Sequence, residues 1–311
     1  MNELSILGEG SHSSREWGCP VMTEVIPCYF INLSSSSGRR ILFQSRADEL
    51  GIVANRVDAC DGRKIGDADL KLYQSRVRSE LWMGAGEIGC FLSHRKVWKK
   101  IIEASNLWAF VAEDDLLLAD DCTPFFAGTD WVPSDADIVK ADTSFRACHR
   151  SAKQESALQM RGIRRLLSNH GGTAGYFVSN SAAAMLLELT EQMCEPSDCL
   201  LFNPDWGAFE KLVVYQIEPA IGIDRIFLNS ETQGIERSNL VGERKTRPTR
   251  PELAKRIRRE LARPFRQIRQ KIKNRQYSIR HGTLYSAVPF CKNAEKGPSY
   301  RSKRSISNLS G

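Results

Sequence analysis

From residue 25 onward, short apolar runs of strand length alternate with longer stretches in which apolar residues recur every three or four positions. VIPCYFINL (25–33) predicts a strand, Ser and Gly turn signals follow it, and a helix is expected over 39–50. A second short strand is expected at 52–57, before the turn-rich DACDGRKIGD. Ile88, Phe91, Leu92, Val97, Trp98, Ile101 and Ile102 keep a helical period over 87–104, with Gly84 and Gly86 marking its start. LWAFVA (107–112) predicts a buried strand that ends in the acidic EDD (113–115). Further strands are expected in DADIVKAD (135–142), GTAGYFVS (172–179) and VVYQIEPAIG (213–222). Helices are expected in SAAAMLLELTEQM (181–193) and in PDWGAFEKL (204–212), the second opened by its proline. The polar, basic stretch 146–170 has weak patterning and reads as a mobile loop. Strands separated by helix-length segments predict an α/β fold with a mostly parallel, doubly wound sheet, which binds ligands beyond the carboxyl ends of its strands.

The chain has 311 residues, enough for one large α/β domain with an appendage. Its 41% hydrophobic and 26% charged content is that of a globular protein. Four parts are expected: a flexible extension (1–23), the main domain (24–239), a basic helical region (240–292) and a disordered tail (293–311). Charge sharpens the third. Residues 244–275 hold 14 Lys/Arg against Glu252 and Glu260, a local +12 in a chain of +7, so the remainder carries −5. Through this segment Leu253, Ile257, Leu261, Phe265, Ile268 and Ile272 make an apolar stripe, with a kink expected at Pro264. Such a helix either lies on an anionic membrane surface or packs its stripe on the domain. Removing everything after Asn239 would then leave the main domain working. Basic residues without interleaved exposed aromatics argue against nucleic acid as a partner. The nine cysteines are scattered and form no CxxC pair, which argues for a reducing compartment rather than a disulfide framework. No apolar run is long enough to span a bilayer, and the first 20 residues lack the order of a secretory signal. A cytoplasmic protein, peripheral on the inner face of the membrane, is expected.

Glu113, Asp114 and Asp115 repel one another where they stand, and partial burial raises that cost unless a cation answers them. Oxygen ligands of this kind suit Mg²⁺ or Mn²⁺, which commonly share their coordination with substrate phosphates. The other reading is that the acids cap a following helix.

The acids also keep company. GAGEIGCFLSHRKVWKKI (84–101) stands about a dozen residues before FVAEDD, and resembles glycosyltransferase family 25, the lipopolysaccharide and lipooligosaccharide transferases. YFINLSSSSGRR (29–40), VDACDGRKI (57–65), GTAGYFVSNSAAAMLL (172–187) and PDWGAFE with VYQIEPAI (204–221) are similar to further family segments, in the same order. The resemblance covers roughly 24–224. It implies a GT-A-like fold, inverting transfer from a nucleotide-sugar donor (commonly UDP-galactose), a lipid-linked or oligosaccharide acceptor, and Mn²⁺ or Mg²⁺ as cofactor. Residue by residue, it puts Glu113 and Asp115 at the metal, with Asp114 assisting toward the donor. It puts Ser93 and His94 beside the donor, His94 alternatively packing inside its helix. Asn32, Arg39 and Arg40 follow the first strand, where a nucleotide would lie, though both arginines could instead face water. Asp58 and Asp61 either touch the nucleoside or shape a turn with Gly62. The serine run 34–37 departs from the charged residues expected there.

Inverting transfer needs a base for the acceptor hydroxyl. Asp205, fixed beside Pro204, is the first candidate and Glu210 the second, although Asp at a helix start is also a routine cap. Thr173 and Tyr176 are candidate sugar contacts, or strand packing. A non-catalytic nucleotide-sugar-binding relative is the competing function. A glycoside hydrolase, which also uses paired carboxylates, would need neither nucleotide nor metal.

Overall fold

A computed structural model describes residues 25–77, 83–227 and 263–291 of the chain. Most of the expected elements are present. β1 (Cys28–Asn32), α1 (Ser37–Glu49) and β2 (Ala54–Asp58) form a β-α-β start with parallel strands, followed by α2 (Asp67–Ser75). α3 (Ala85–Glu103) begins at Gly84, whose N–H is capped by the Glu87 carboxylate at 3.1 Å. It leads into β3 (Trp108–Glu113), which lies parallel to β1.

The main sheet has eight strands in the order β2-β1-β3-β10-β5-β11-β9-β8, completed by β5 (Ile138–Lys140), β8 (Ser156–Leu158), β9 (Arg161–Arg165), β10 (Gly175–Ser179) and β11 (Val214–Glu218). Helices cover both faces. Val111, Tyr176 and Val178 point to the core under α3 and α4 (Asn180–Leu189), while Phe30, Phe110 and Phe177 point to the core under α1. The sheet is mixed rather than mostly parallel. β10 runs antiparallel to both β3 and β5, and β9 antiparallel to β11 and β8. A run buried on both faces reads the same whichever way it travels, so strand direction was not written in the pattern.

The stretch 146–170 is no loop. It holds β7 (Ala147–Ser151), β8 and β9, and two of its arginines, Arg150 and Arg161, are inside. Arg150, fully buried, donates to the Glu218 carboxylate at 3.0 and 3.1 Å and to Ser286. Arg161 pairs with Asp121 at 2.5 Å and donates to the carbonyls of Pro219, Ala220 and Cys291. Long cations at inward positions, each fully answered, erased the apolar alternation by which a strand is read.

The helix expected over 204–212 is absent. α5 (Ser197–Phe202) stops before it, and 204–208 are turns leading to a single 3-10 turn, Phe209–Lys211. Gly207 takes φ +67°, which interrupts a right-handed helix, and Asn203 rather than Asp205 supplies the local cap by accepting from Asp205 N–H at 3.1 Å.

A second, three-stranded sheet orders β4 (Leu116–Leu118), β12 (Gly222–Asp224) and β6 (Asp142–Thr143) as β4-β12-β6. Gly175 lets it sit against the main sheet, since a Cβ there would come within 2.8 Å of the Leu116 side chain.

The described C-terminal part is α6 (Arg263–His281) and β13 (Thr283–Ala287). Pro264 stands in the first turn of this helix, where proline is tolerated, and the segment before it, across which the kink was expected, lies outside the described residues. β13 pairs with β7, and Val288, Phe290 and Cys291 are buried. Residues 283–291 are therefore part of the main fold, and a chain cut after Asn239 would lose a strand and core side chains. The rest of the stripe from Leu253 to Leu261, and the segments 1–23 and 293–311, lie outside the described residues. No helix among the described residues is long and apolar enough to cross a membrane.

Candidate active site

β1 and β3 end side by side, with Ile31 paired to Glu113, so the first connection and the EDD turn share one corner. Past Glu113 the chain turns within two residues into β4, so no helix begins there for the acids to cap.

The corner is crowded with carboxylates. Asn32, buried at the end of β1, donates to Asp114 at 2.6 Å and accepts from Arg56 Nε at 2.9 Å. Arg39, in the first turn of α1, lies 2.5 Å from Asp114 and also contacts Asp115. Asp224 arrives from a distant part of the chain: β12 pairs Asp224 with Leu116, and Arg225 N–H donates to the Asp115 carbonyl at 3.0 Å. The energetic cost shows in the acidities. Burial, and then the charges of Asp224 and Glu113, push the Asp115 carboxyl well above the ordinary range. Burial lifts Asp224 to about 6. Asp114 is raised by burial, with Arg39 and Asn32 opposing. Asp115 Oδ1 is buried with no hydrogen-bond partner among the described residues, as are the Nε atoms of Arg39 and Arg225. Asp115 and Asp224 thus offer hard oxygen donors, one of them unanswered, of the kind Mg²⁺ and Mn²⁺ take.

Glu113 faces the other way. It accepts from Thr173 Oγ1 at 2.6 Å and lies 3.4 Å from His94 Nε2. Trp98 Nε1–H donates to the Tyr176 hydroxyl at 2.9 Å, which leaves that hydroxyl to donate to His94 Nδ1, also at 2.9 Å. His94 then carries its proton on Nε2, toward Glu113. Burial raises Glu113, but the His94 and Thr173 bonds and Arg39 outweigh it and hold the carboxyl below its usual value. Cys90 Sγ joins His94 and Glu113 in a group whose ligand atoms lie within 4.8 Å of one another. Glu113 belongs to this cluster under α3, and its contacts are not those of Asp115.

The remaining candidates divide. Ser93 spends both hydrogen-bonding capacities on backbone, accepting from Cys60 N–H at 2.8 Å and donating to Gly89 O at 2.6 Å. Tyr176 is fully buried, its hydroxyl enclosed by Trp98 and His94. Asp61 caps the 3-10 turn Gly62–Lys64 and pairs with Arg63, whose hydrogen bond lowers its pKa. Asp58 pairs with Arg56. Arg40, Asp205 and Glu210 are exposed, and neither Asp205 nor Glu210 has a side-chain hydrogen bond or ion pair among the described residues. Sequence reasoning missed Asp224 and Arg225, whose stretch AIGIDRI carries no local signal of the acids 109 residues earlier. It also missed buried Lys140, bonded to Asp142 at 2.6 Å and to the Gly172 carbonyl, and stacked 4.2 Å from the Phe202 ring centroid.

The profile of glycosyltransferase family 25 (LPS biosynthesis protein) matches residues 25–201. The lacto-N-neotetraose biosynthesis glycosyltransferase LgtB of Neisseria meningitidis serogroup A is 28% identical over 204 residues, 62% of this chain and 72% of that one. LgtE of N. meningitidis serogroup B is 31% identical over 203 residues, with 62% and 72% covered. The lipooligosaccharide biosynthesis protein lex-1 of Haemophilus influenzae is 29% identical over 174 residues, with 52% and 56% covered. Among solved structures, a glycosyltransferase involved in glycosylation of the major capsid of PBCV-1 overlaps 71% of this chain and all of that one, at TM-score 0.36 and 10% identity, too slight a likeness to define the fold. The matched residues contain β1, α1, α3, the EDD turn, Thr173 and β10, which is all of the acidic corner and the Glu113 cluster described above except Asp224 and Arg225, and the chain belongs to glycosyltransferase family 25.

Proposed function

We propose that this glycosyltransferase moves a hexose, galactose from UDP-galactose being the first donor to test, onto a lipopolysaccharide or related surface-glycan acceptor, with inversion and on a GT-A-like scaffold. One observation carries the reading: Asp115 and Asp224 stand together beyond the strand ends, with one buried carboxylate oxygen unanswered, opposite the arginine-bearing first turn of α1. Asp115 and Asp224 would hold Mn²⁺ or Mg²⁺, which supplies charge neutralisation of the departing nucleotide diphosphate. Arg39, Arg40 and the N–H groups of α1 bind and orient the phosphates. Thr173 and the His94–Tyr176–Trp98 chain fix the Glu113 carboxylate under the donor. The name of the lex-1 relative, a lipooligosaccharide biosynthesis protein, supports a lipooligosaccharide acceptor.

Asp205 remains our base. It sits exposed in a turn pinned by Asn203, with no partner among the described residues that would compete for its carboxylate, and with Trp206 beside it as a surface for a sugar ring. Asp205→Asn is expected to lower kcat by about 10²-fold or more with little change in donor KM. Steady-state kinetics measure this, and a matching loss in Glu210→Gln alone would transfer the role. The reading itself is tested by incubating the protein with UDP-galactose, Mn²⁺ and a lactosyl-type acceptor. UDP release with a product of inverted anomeric configuration by proton NMR is expected. Tight UDP-sugar binding without turnover would make the chain a binding relative instead.

A membrane surface is the proposed acceptor platform. α6 turns Asn274 inward, and its Tyr277 ring lies 4.7 Å from that of His149. Ile272 and Ile279, one face of the helix, are 52% and 74% exposed. Seven Lys/Arg and no acid accompany them over 263–281. This favours an anionic interface on the inner leaflet over the stripe packing on the domain. Full-length protein carrying Ile272→Glu and Ile279→Glu is expected to stop floating with phosphatidylglycerol vesicles. Unchanged flotation would refute this placement.

A further inference from the structure

Arg39 is placed between two jobs. Its terminal nitrogen contacts Asp114 and Asp115, so the cation already answering the acids is one the chain carries itself. That contact is incomplete on both sides. Asp115 Oδ1, an acceptor, and Arg39 Nε, a donor, are both buried with nothing to bind among the described residues. Buried polar groups in this condition call for a ligand. The acceptor needs a cation, and the donor needs an anion. A divalent ion carrying a diphosphate brings both, the metal to the carboxylate oxygen and a phosphate oxygen to the guanidinium, which suits two-pronged contact.

The surrounding charges point the same way. Glu113, Asp114, Asp115 and Asp224 all act electrostatically on Arg39. Lys140, the nearby buried lysine, is committed to Asp142. A divalent ion at the acids would therefore meet Arg39 as a like charge, and like charges in a buried corner separate.

We propose that Arg39 is a resident counter-cation, which holds Asp114 and Asp115 until a divalent metal takes them and then turns its guanidinium to the diphosphate the metal brings. This rests on the metal-assisted reading above. It makes Arg39 a competitor of the metal and a partner of the nucleotide, so metal and nucleotide each strengthen the other's binding by the same factor. Removing Arg39 then has two effects of opposite sign. A residue that only braced the corner would weaken both ligands when removed.

The test uses the full chain as wild type, Arg39→Gln and Arg39→Lys. Free Mn²⁺ is followed by electron paramagnetic resonance without nucleotide, and UDP binding by calorimetry at saturating Mn²⁺. Arg39→Gln is expected to bind Mn²⁺ about tenfold more tightly and UDP about tenfold more weakly. Arg39→Lys keeps the charge but not the fork, so Mn²⁺ binding stays near wild type while UDP weakens. Circular dichroism reports whether each variant is folded. Should Arg39→Gln unfold, Arg39→Lys decides alone, unchanged UDP affinity there overturning the proposal. Equal or weaker Mn²⁺ binding by folded Arg39→Gln overturns it and leaves the metal reading intact. Failure of every form to bind Mn²⁺, with or without UDP, overturns both.

Discussion

Asp115→Asn is expected to cost the enzyme about 10²- to 10³-fold in kcat/KM for the donor, the worth of one group stabilising leaving-group charge. The same change should not harm the fold. Asp115 is held well above its ordinary pKa because burial and the Asp224 and Glu113 charges oppose ionisation. For a carboxyl raised in the folded state, the native protein binds more protons than the unfolded chain. Stability from this group is therefore present at low pH and declines as pH rises from the ordinary carboxylate range through the raised value. Asparagine, neutral at every pH, removes that decline. Thermal unfolding without metal should give Asp115→Asn a melting temperature at pH 7.5 equal to or above wild type, and Mn²⁺ should no longer raise it. Transfer within tenfold of wild type by the asparagine variant would remove Asp115 from the reaction.

The second large effect is on stability. Lys140 is fully buried, its ammonium bonded to Asp142 at 2.6 Å and placed over the Phe202 ring. Burial already raises the Asp142 pKa, and the Lys140 charge is what opposes it. Lys140→Met leaves a buried carboxylate alone, and breaking such a pair from one side costs about 3–5 kcal/mol. Pairing Lys140→Met with Asp142→Asn should recover part of that loss, since the uncompensated charge is gone. Urea unfolding of the single and double variants at pH 7 measures both, and a loss below about 1 kcal/mol would show that the site relaxes. Activity should fall along with stability. Lys140 also holds the Gly172 carbonyl, and the next residue, Thr173, is the one bonded to Glu113.

The acidic corner was legible because its signal is local. An apolar strand ending in three acids makes strand and exit contiguous in sequence, and the helix at 85–103 announces itself by its period. The arginine-bearing strands were hidden, since Arg150 and Arg161 look like surface residues until Glu218, Asp121 and the receiving carbonyls are in place. The 204–212 segment misled because Pro204 suggested a helix start while Gly207, three residues on, undid it. Among the proposed site residues, Ser93 and Tyr176 were found in the right neighbourhood, yet their polar atoms are taken up within the protein.

By itself the sequence determined the α/β class, the placing of Glu113–Asp115 at a strand end, and a basic amphipathic segment near the C-terminus. These follow from apolar period and charge runs, which act between residues a few positions apart. Only the tertiary structure decided the mixed direction of the sheet, the arrival of Asp224 and Arg225 beside Asp115, the pairing of Arg39 with the acids, and the outward turn of Ile272 and Ile279. Each depends on which distant partner a group meets, and a partner's identity is fixed by the chain's path through space.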